Sequence, residues 1–133
     1  MATLTDTIGD FINRLTTAVA VRKAWVSVPY SELKFQIALV LKREGYLGEI
    51  KEEESGPYKH LIVELLYDAD GEPRIHGVKR ISKPGRRLYA GSTDVMPHKY
   101  GKGAILLTTP KGIMTDADAR KNRVGGETMF SIW

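Results

Sequence analysis

The chain contains no cysteine among its 133 residues, which excludes disulfides, thiolate zinc sites and a cysteine nucleophile, and nothing in it points to an oxidising compartment. It has no run of roughly 18 apolar residues, the length a helix needs to cross a bilayer, so no membrane partner is expected. The opening Met-Ala-Thr-Leu-Thr-Asp has neither a basic-then-apolar signal segment nor an arginine-rich transit pattern, so no targeting is expected and a cytoplasmic location fits best. Histidine is scarce. His60, His76 and His98 stand far apart, without a carboxylate at metal-ligand spacing, and no metal is expected. Asp68, Asp70, Gly71 and Glu72 open like a calcium loop, but the ligand pattern and its closing glutamate do not continue. Gly101-Lys102-Gly103 precedes a strand instead of opening a helix, the wrong order for a nucleotide-phosphate cradle. No serine, histidine and aspartate share a nucleophile context, and Glu52-Glu53-Glu54 is most simply a solvated edge. The sequence thus supports neither catalysis nor a cofactor.

What is present is the pattern of a small α+β protein, with 42% apolar and 27% charged residues and a length that suits one ordinary domain or two small ones. Ile8, Phe11, Ile12, Leu15 and Val19 recur at helical spacing, with Asp6 in or near the first turn, where a carboxylate favours the helix dipole. Trp25-Val26-Ser27-Val28 alternates as a short strand closed by Pro29. Ser31 is placed to cap a second helix. Leu33, Ile37, Val40 and Leu41 share one face of it, and Gly45 takes the left-handed position beyond its end. From Tyr46 the pattern turns to strands: residues 47–53 are predicted to meet residues 60–67 across Ser55-Gly56-Pro57, with Leu61, Val63 and Leu65 facing the helices. Residues 1–66 are therefore expected to form a helix-strand-helix-strand-strand domain. Residues 67–133 carry fewer helical signals. A turn at residues 68–71, a strand at 74–81, a buried strand at 104–109 ending at Pro110, a short helix capped by Thr115 and a last strand at 127–133 predict a mainly antiparallel β domain with one short helix.

Charge divides along the same line. Residues 1–70 carry eight Lys or Arg against eleven Asp or Glu, and residues 71–133 twelve against five, so net charges of −3 and +7 give the chain its +4. A cationic half gains counterion-release free energy on a phosphate backbone. Within it, Ser82, Lys83, Arg86 and Arg87 surround a Pro-Gly turn, offering charge and backbone amides to phosphates; the ordinary alternative is an exposed turn. Thr108, Thr109 and Lys111 end a buried strand, where hydroxyls suit ribose hydroxyls and base edges; the ordinary alternative is strand-end packing. On one basic half, the two constellations favour RNA over other polyanions.

The run Lys79-Arg80-Ile81-Ser82-Lys83-Pro84-Gly85-Arg86-Arg87 resembles the basic loop of the bacterial small-subunit ribosomal protein S-eight family. Residues 103–116, Gly-Ala-Ile-Leu-Leu-Thr-Thr-Pro-Lys-Gly-Ile-Met-Thr-Asp, resemble its C-terminal signature. Ala119-Arg120 and Gly125-Gly126-Glu127 follow at the family's spacing. Thr5-Asp6, Arg14, Val26, Val28-Pro29 and residues 41–46 are similar to its N-terminal half. The resemblance implies two α+β domains, no reaction and no cofactor. It further implies a structural place in the small ribosomal subunit, on a stem in the central domain of the small-subunit (16S) ribosomal RNA, with a part in assembling the platform. Neighbouring small-subunit ribosomal proteins are implied partners. So is the protein's own messenger RNA, and translational repression outside the ribosome is the alternative function. Carried over by position, Thr108, Thr109, Lys111, Gly126 and Glu127 would meet the RNA, supported by Tyr89, with Arg14, Ser31 and Lys34 touching backbone from the first domain. Pro110 departs from the family, which usually has a serine there, and Thr16 and Thr17 replace an arginine and an asparagine. Glu127, a carboxylate beside a polyanion, either accepts from base amino groups or partners a nearby arginine.

Overall fold

The computed structural model describes residues 7–83, 85–91 and 103–133; the expectations for Thr5, Asp6, Pro84, His98, Gly101 and Lys102 fall outside the described residues. The chain divides into two compact units, Asp10–His76 and one that includes Gly77–Trp133.

The first holds α1 (Thr7–Ala20) from Asp10 onward, Thr7–Gly9 falling to the other unit, and the helix buries Phe11, Ile12, Leu15 and Ala18. Ala18 takes the place expected of Val19, because steps of four and three residues from Phe11 through Leu15 keep the stripe on one face. The helix stops at Arg22, in the left-handed region at φ 58°, where Lys23 N–H donates to the Ala18 carbonyl at 3.0 Å. After β1 (Trp25–Pro29), the Ser31 hydroxyl accepts from Lys34 N–H at 3.1 Å and caps α2 (Glu32–Arg43). Gly45, at φ 87°, turns the chain into β2 (Leu47–Ser55), which returns through Gly56 as β3 (Tyr58–Leu65). The antiparallel order is β1-β3-β2. Val26 lies opposite Val63 and Val28 opposite Leu61, so one sheet face is apolar and buried, as Leu61, Val63 and Leu65 led us to expect. β2 is an edge strand on which Glu49, Glu52, Glu53 and Glu54 are all exposed. Beyond β3, the Asp68 carboxylate accepts from the amides of Asp70 and Glu72 at 2.8 and 2.9 Å. The apparent calcium loop is thus a side-chain-capped turn. Among the described residues no group of His, Asp and Glu could hold a metal ion, and no helix is long and apolar enough to cross a membrane.

The second unit contains β4 (Val78–Arg80), β5 (Tyr89–Ala90), β6 (Ala104–Thr109), β7 (Gly112–Thr115), α3 (Asp116–Asn122) and β8 (Gly126–Ile132). The sheet runs β4-β8-β6-β7, and β5 pairs with the other end of β8. The strand expected at 74–81 is cut to β4, whose register is Val78 to Arg80 against Ile132 to Phe130. Thr115 caps α3 as expected, its hydroxyl accepting from Asp118 N–H at 3.2 Å. Asp116 locks the helix to the sheet, taking a hydrogen bond from Ile105 N–H and pairing with Arg120, each at 3.0 Å. Leu107, Met114 and Ala119 form the core beneath, with Ala90 and Val124 against it.

Candidate nucleic-acid interface

Register places the C-terminal candidates. Tyr89 lies opposite Glu127, and Glu127 opposite Thr108. Directly paired residues of antiparallel strands share a face, so these three side chains form a row across β5, β8 and β6. Tyr89 is 73% exposed and offers both a ring face and a phenol. The Thr108 hydroxyl donates to the Met129 sulfur at 3.2 Å. Thioether sulfur is a weak acceptor, so this proton can be given to a stronger acceptor at little cost.

Gly126 stands beside the row for a steric reason. A Cβ there would fall against the Thr108 carbonyl oxygen and within 3.0 Å of Thr109 Cα. Gly125 is equally constrained on its other side, where a Cβ would fall against the Ala90 carbonyl oxygen. Of the doublet Gly125-Gly126 only the second was expected at the RNA; the signal for the first was the doublet itself, standing between a helix and a strand. Together the two glycines let the chain run closely between the ends of β5 and β6.

Thr109 is 7% exposed. Its hydroxyl donates to the Gly112 carbonyl at 2.8 Å and accepts from Lys111 N–H at 3.1 Å. It therefore shapes the two-residue turn Pro110-Lys111, closed by the Thr109–Gly112 pair. Pro110 occupies the first position of that turn, which suits its fixed φ, and Lys111 is exposed at the tip.

The basic loop has its own internal staple. Ser82 is 2% exposed; its hydroxyl accepts from Leu88 N–H at 2.9 Å and donates to the Leu88 carbonyl at 3.1 Å. Between these ends, Lys83 and Arg86 exchange backbone hydrogen bonds at 2.9 Å each around Gly85, at φ 85°. Their side chains stay exposed. Arg87 differs: its Nη1 lies 3.0 Å from Glu127 Oε2. Both readings offered for Glu127 thus meet at one place, since its arginine partner is in the loop and its neighbours in the row are Tyr89 and Thr108.

The N-terminal candidates belong to the other unit. Arg14 pairs with Asp10 one helical turn away at 3.0 Å and is about half exposed. The Ser31 hydroxyl is the cap of α2. Lys34 is 5% exposed and its Nζ donates to the Pro29 carbonyl at 2.8 Å. Burial, with Arg14 nearby, lowers its pKa from the usual lysine value against the opposing pull of Asp10. Of the three, only the guanidinium of Arg14 faces solvent broadly. It borders a groove of about 510 Å³ with Asn13, Thr17, Lys23, Trp25 and Ser27.

A family model described as "Ribosomal protein S8" matches residues 6–133. Among curated relatives, the chain is similar to the "Small ribosomal subunit protein uS8" of Roseiflexus castenholzii, 40% identical over 128 residues that cover 96% of this chain and 97% of that one. The protein of the same name from Rhodopirellula baltica is 41% identical over 131 residues, covering 97% and 98%. That from an Arthrobacter species is 43% identical over 132 residues, covering 98% and 99%.

Proposed function

The chain belongs to the ribosomal protein S8 family, and on that premise we propose that it is a non-catalytic structural protein of the small ribosomal subunit that binds a stem in the central domain of its RNA and helps assemble the platform. Residues 67–133 supply the RNA-binding domain in this reading, and residues 1–66 a supporting one. The observation that carries it is the row Tyr89, Glu127 and Thr108 on one face of the sheet, beside the Lys111 tip. An aromatic ring, an acceptor and a hydroxyl in line suit the base edges and 2′-hydroxyls of a shallow RNA minor groove. Lys83, Arg86 and Lys111 supply sequence-independent attraction to phosphates. Ser82, Thr109 and Gly126 serve by holding the loop, the turn and the strand spacing on which these groups stand. Arg14 adds a backbone contact from the first unit, while Ser31 and Lys34 hold α2 in place. Binding of the purified protein to the cognate stem and to a scrambled stem of equal length, across a salt series, tests the reading. The cognate stem is expected to win at moderate salt. Equal, weak binding to both would sink it.

A further inference from the structure

Lys83, Arg86 and Arg87 look alike in sequence, but their surroundings differ. Among the described residues the side chains of Lys83 and Arg86 have no ion-pair partner, whereas the Arg87 guanidinium lies 3.0 Å from Glu127. The Glu127 side chain is 18% exposed and that of Arg87 49%, so the carboxylate is the recessed member and the arginine its outer support. An ionised carboxylate has acceptors only and repels phosphate. Whatever RNA group faces Glu127 must be a donor, and the minor groove of an RNA stem offers 2′-hydroxyls and the guanine amino group. Arg87 holds Oε2, and among the described residues Oε1 has no hydrogen bond.

We propose that Arg87 is a positioning residue: its guanidinium orients and offsets the charge of Glu127 so that the other carboxylate oxygen accepts from an RNA hydroxyl or amine, and Arg87 itself grips no phosphate. The inference rests on the proposed RNA-binding function and narrows it, because it moves Arg87 from general attraction to discrimination. A guanidinium suits this role, since its N–H groups point in fixed directions and a single one can hold Oε2 while leaving Oε1 open, whereas a lysine ammonium rotates freely. An ion pair whose arginine is half exposed adds little to fold stability, so loss of Arg87 is felt at the RNA before it is felt in unfolding.

The test uses the full chain with cognate and scrambled stems over a salt series, comparing wild type, Arg87→Gln, Glu127→Gln, the double variant and Lys83→Gln. Arg87→Gln is expected to weaken cognate binding by about ten- to a hundredfold, the scale of one charge-assisted hydrogen bond, while scrambled binding and the salt slope hold. The double variant should bind no more weakly than Glu127→Gln alone. Lys83→Gln, in contrast, should weaken both stems and reduce the slope by about one. A slope change for Arg87→Gln like that of Lys83→Gln, or losses that multiply in the double variant, overturns the inference. Should Arg87→Gln fail to fold, Arg87→Lys keeps the charge without the fixed N–H directions; cognate binding should still fall at constant slope, and unchanged cognate binding overturns the proposal. A wild type that prefers neither stem overturns the proposed function, and this inference with it. A discriminating wild type matched by Arg87→Gln overturns the inference alone.

Discussion

At the scale of single residues, side chains that looked equivalent in sequence divide into those that face outward and those that hold others in place. Thr108 and Thr109 are adjacent hydroxyls, yet alternation along β6 leaves Thr108 exposed and buries Thr109 with two hydrogen bonds in the turn. Thr109→Val is therefore expected to cost about 1–2 kcal/mol of stability for two lost hydrogen bonds, measured by urea unfolding, with weaker RNA binding as a secondary effect of a loosened Lys111 tip. Gly126→Ala is expected to cost about 1–3 kcal/mol, because its methyl group meets strand backbone that cannot move aside. Lys34 gives a prediction in pH. Between its lowered folded pKa and the ordinary lysine value, the unfolded chain keeps a proton that the folded chain has released, so the Lys34 contribution makes stability rise with pH across that window. Tyr30, its pKa raised chiefly by the hydrogen bond to Glu32, acts in the opposite direction at alkaline pH. Comparing wild type with Lys34→Met cancels the Tyr30 effect: the stability of wild type relative to Lys34→Met should rise with pH across the Lys34 window. A difference independent of pH would show that Lys34 does not titrate abnormally.

At the scale of elements, what could be foreseen depended on how much of the signal was local. The caps of both later helices, Ser31 and Thr115, are visible in sequence because a cap is a bond between near neighbours. The β2–β3 hairpin and β6 were marked by alternation and turn residues. β5 has two residues and β7 begins at a glycine, so neither has a pattern long enough to register; each exists because a partner strand supplies its hydrogen bonds. The loop staple was hidden for the same reason, since Ser82 and Leu88 meet only after the chain turns back at Gly85. Ser82→Ala removes both bonds, and faster hydrogen exchange at the Leu88 amide is expected. Unchanged protection there would mean that β4 and β5 hold the loop without the serine. The candidate site was legible as a set of residue types near two turns. The pairing that puts Tyr89, Glu127 and Thr108 in one row was not, because it joins positions from three separate strands.

At the scale of the whole molecule, the division between a −3 and a +7 half sets how binding responds to ionic strength. The logarithm of the affinity for either stem should fall linearly with the logarithm of salt concentration. Reversing Lys83 and Arg86 together to glutamate should reduce binding to both stems alike, since the side chains of this pair are exposed and face no particular base in the proposed arrangement. A selective loss for the cognate stem would place these two among the discriminating groups.

The acidic half matters before any RNA is met. Among the described residues β2 leaves one flank of its sheet without a strand partner, the kind of border along which separate chains zip together. Glu49, Glu52, Glu53 and Glu54 line it, with Lys51 among them and Glu52 paired with Lys59 at 3.3 Å, so a second copy approaching flank to flank meets mostly charge of its own sign. Charge at the border of a sheet thus does what a covering strand would otherwise do, and disfavours pairing with another edge of the same kind.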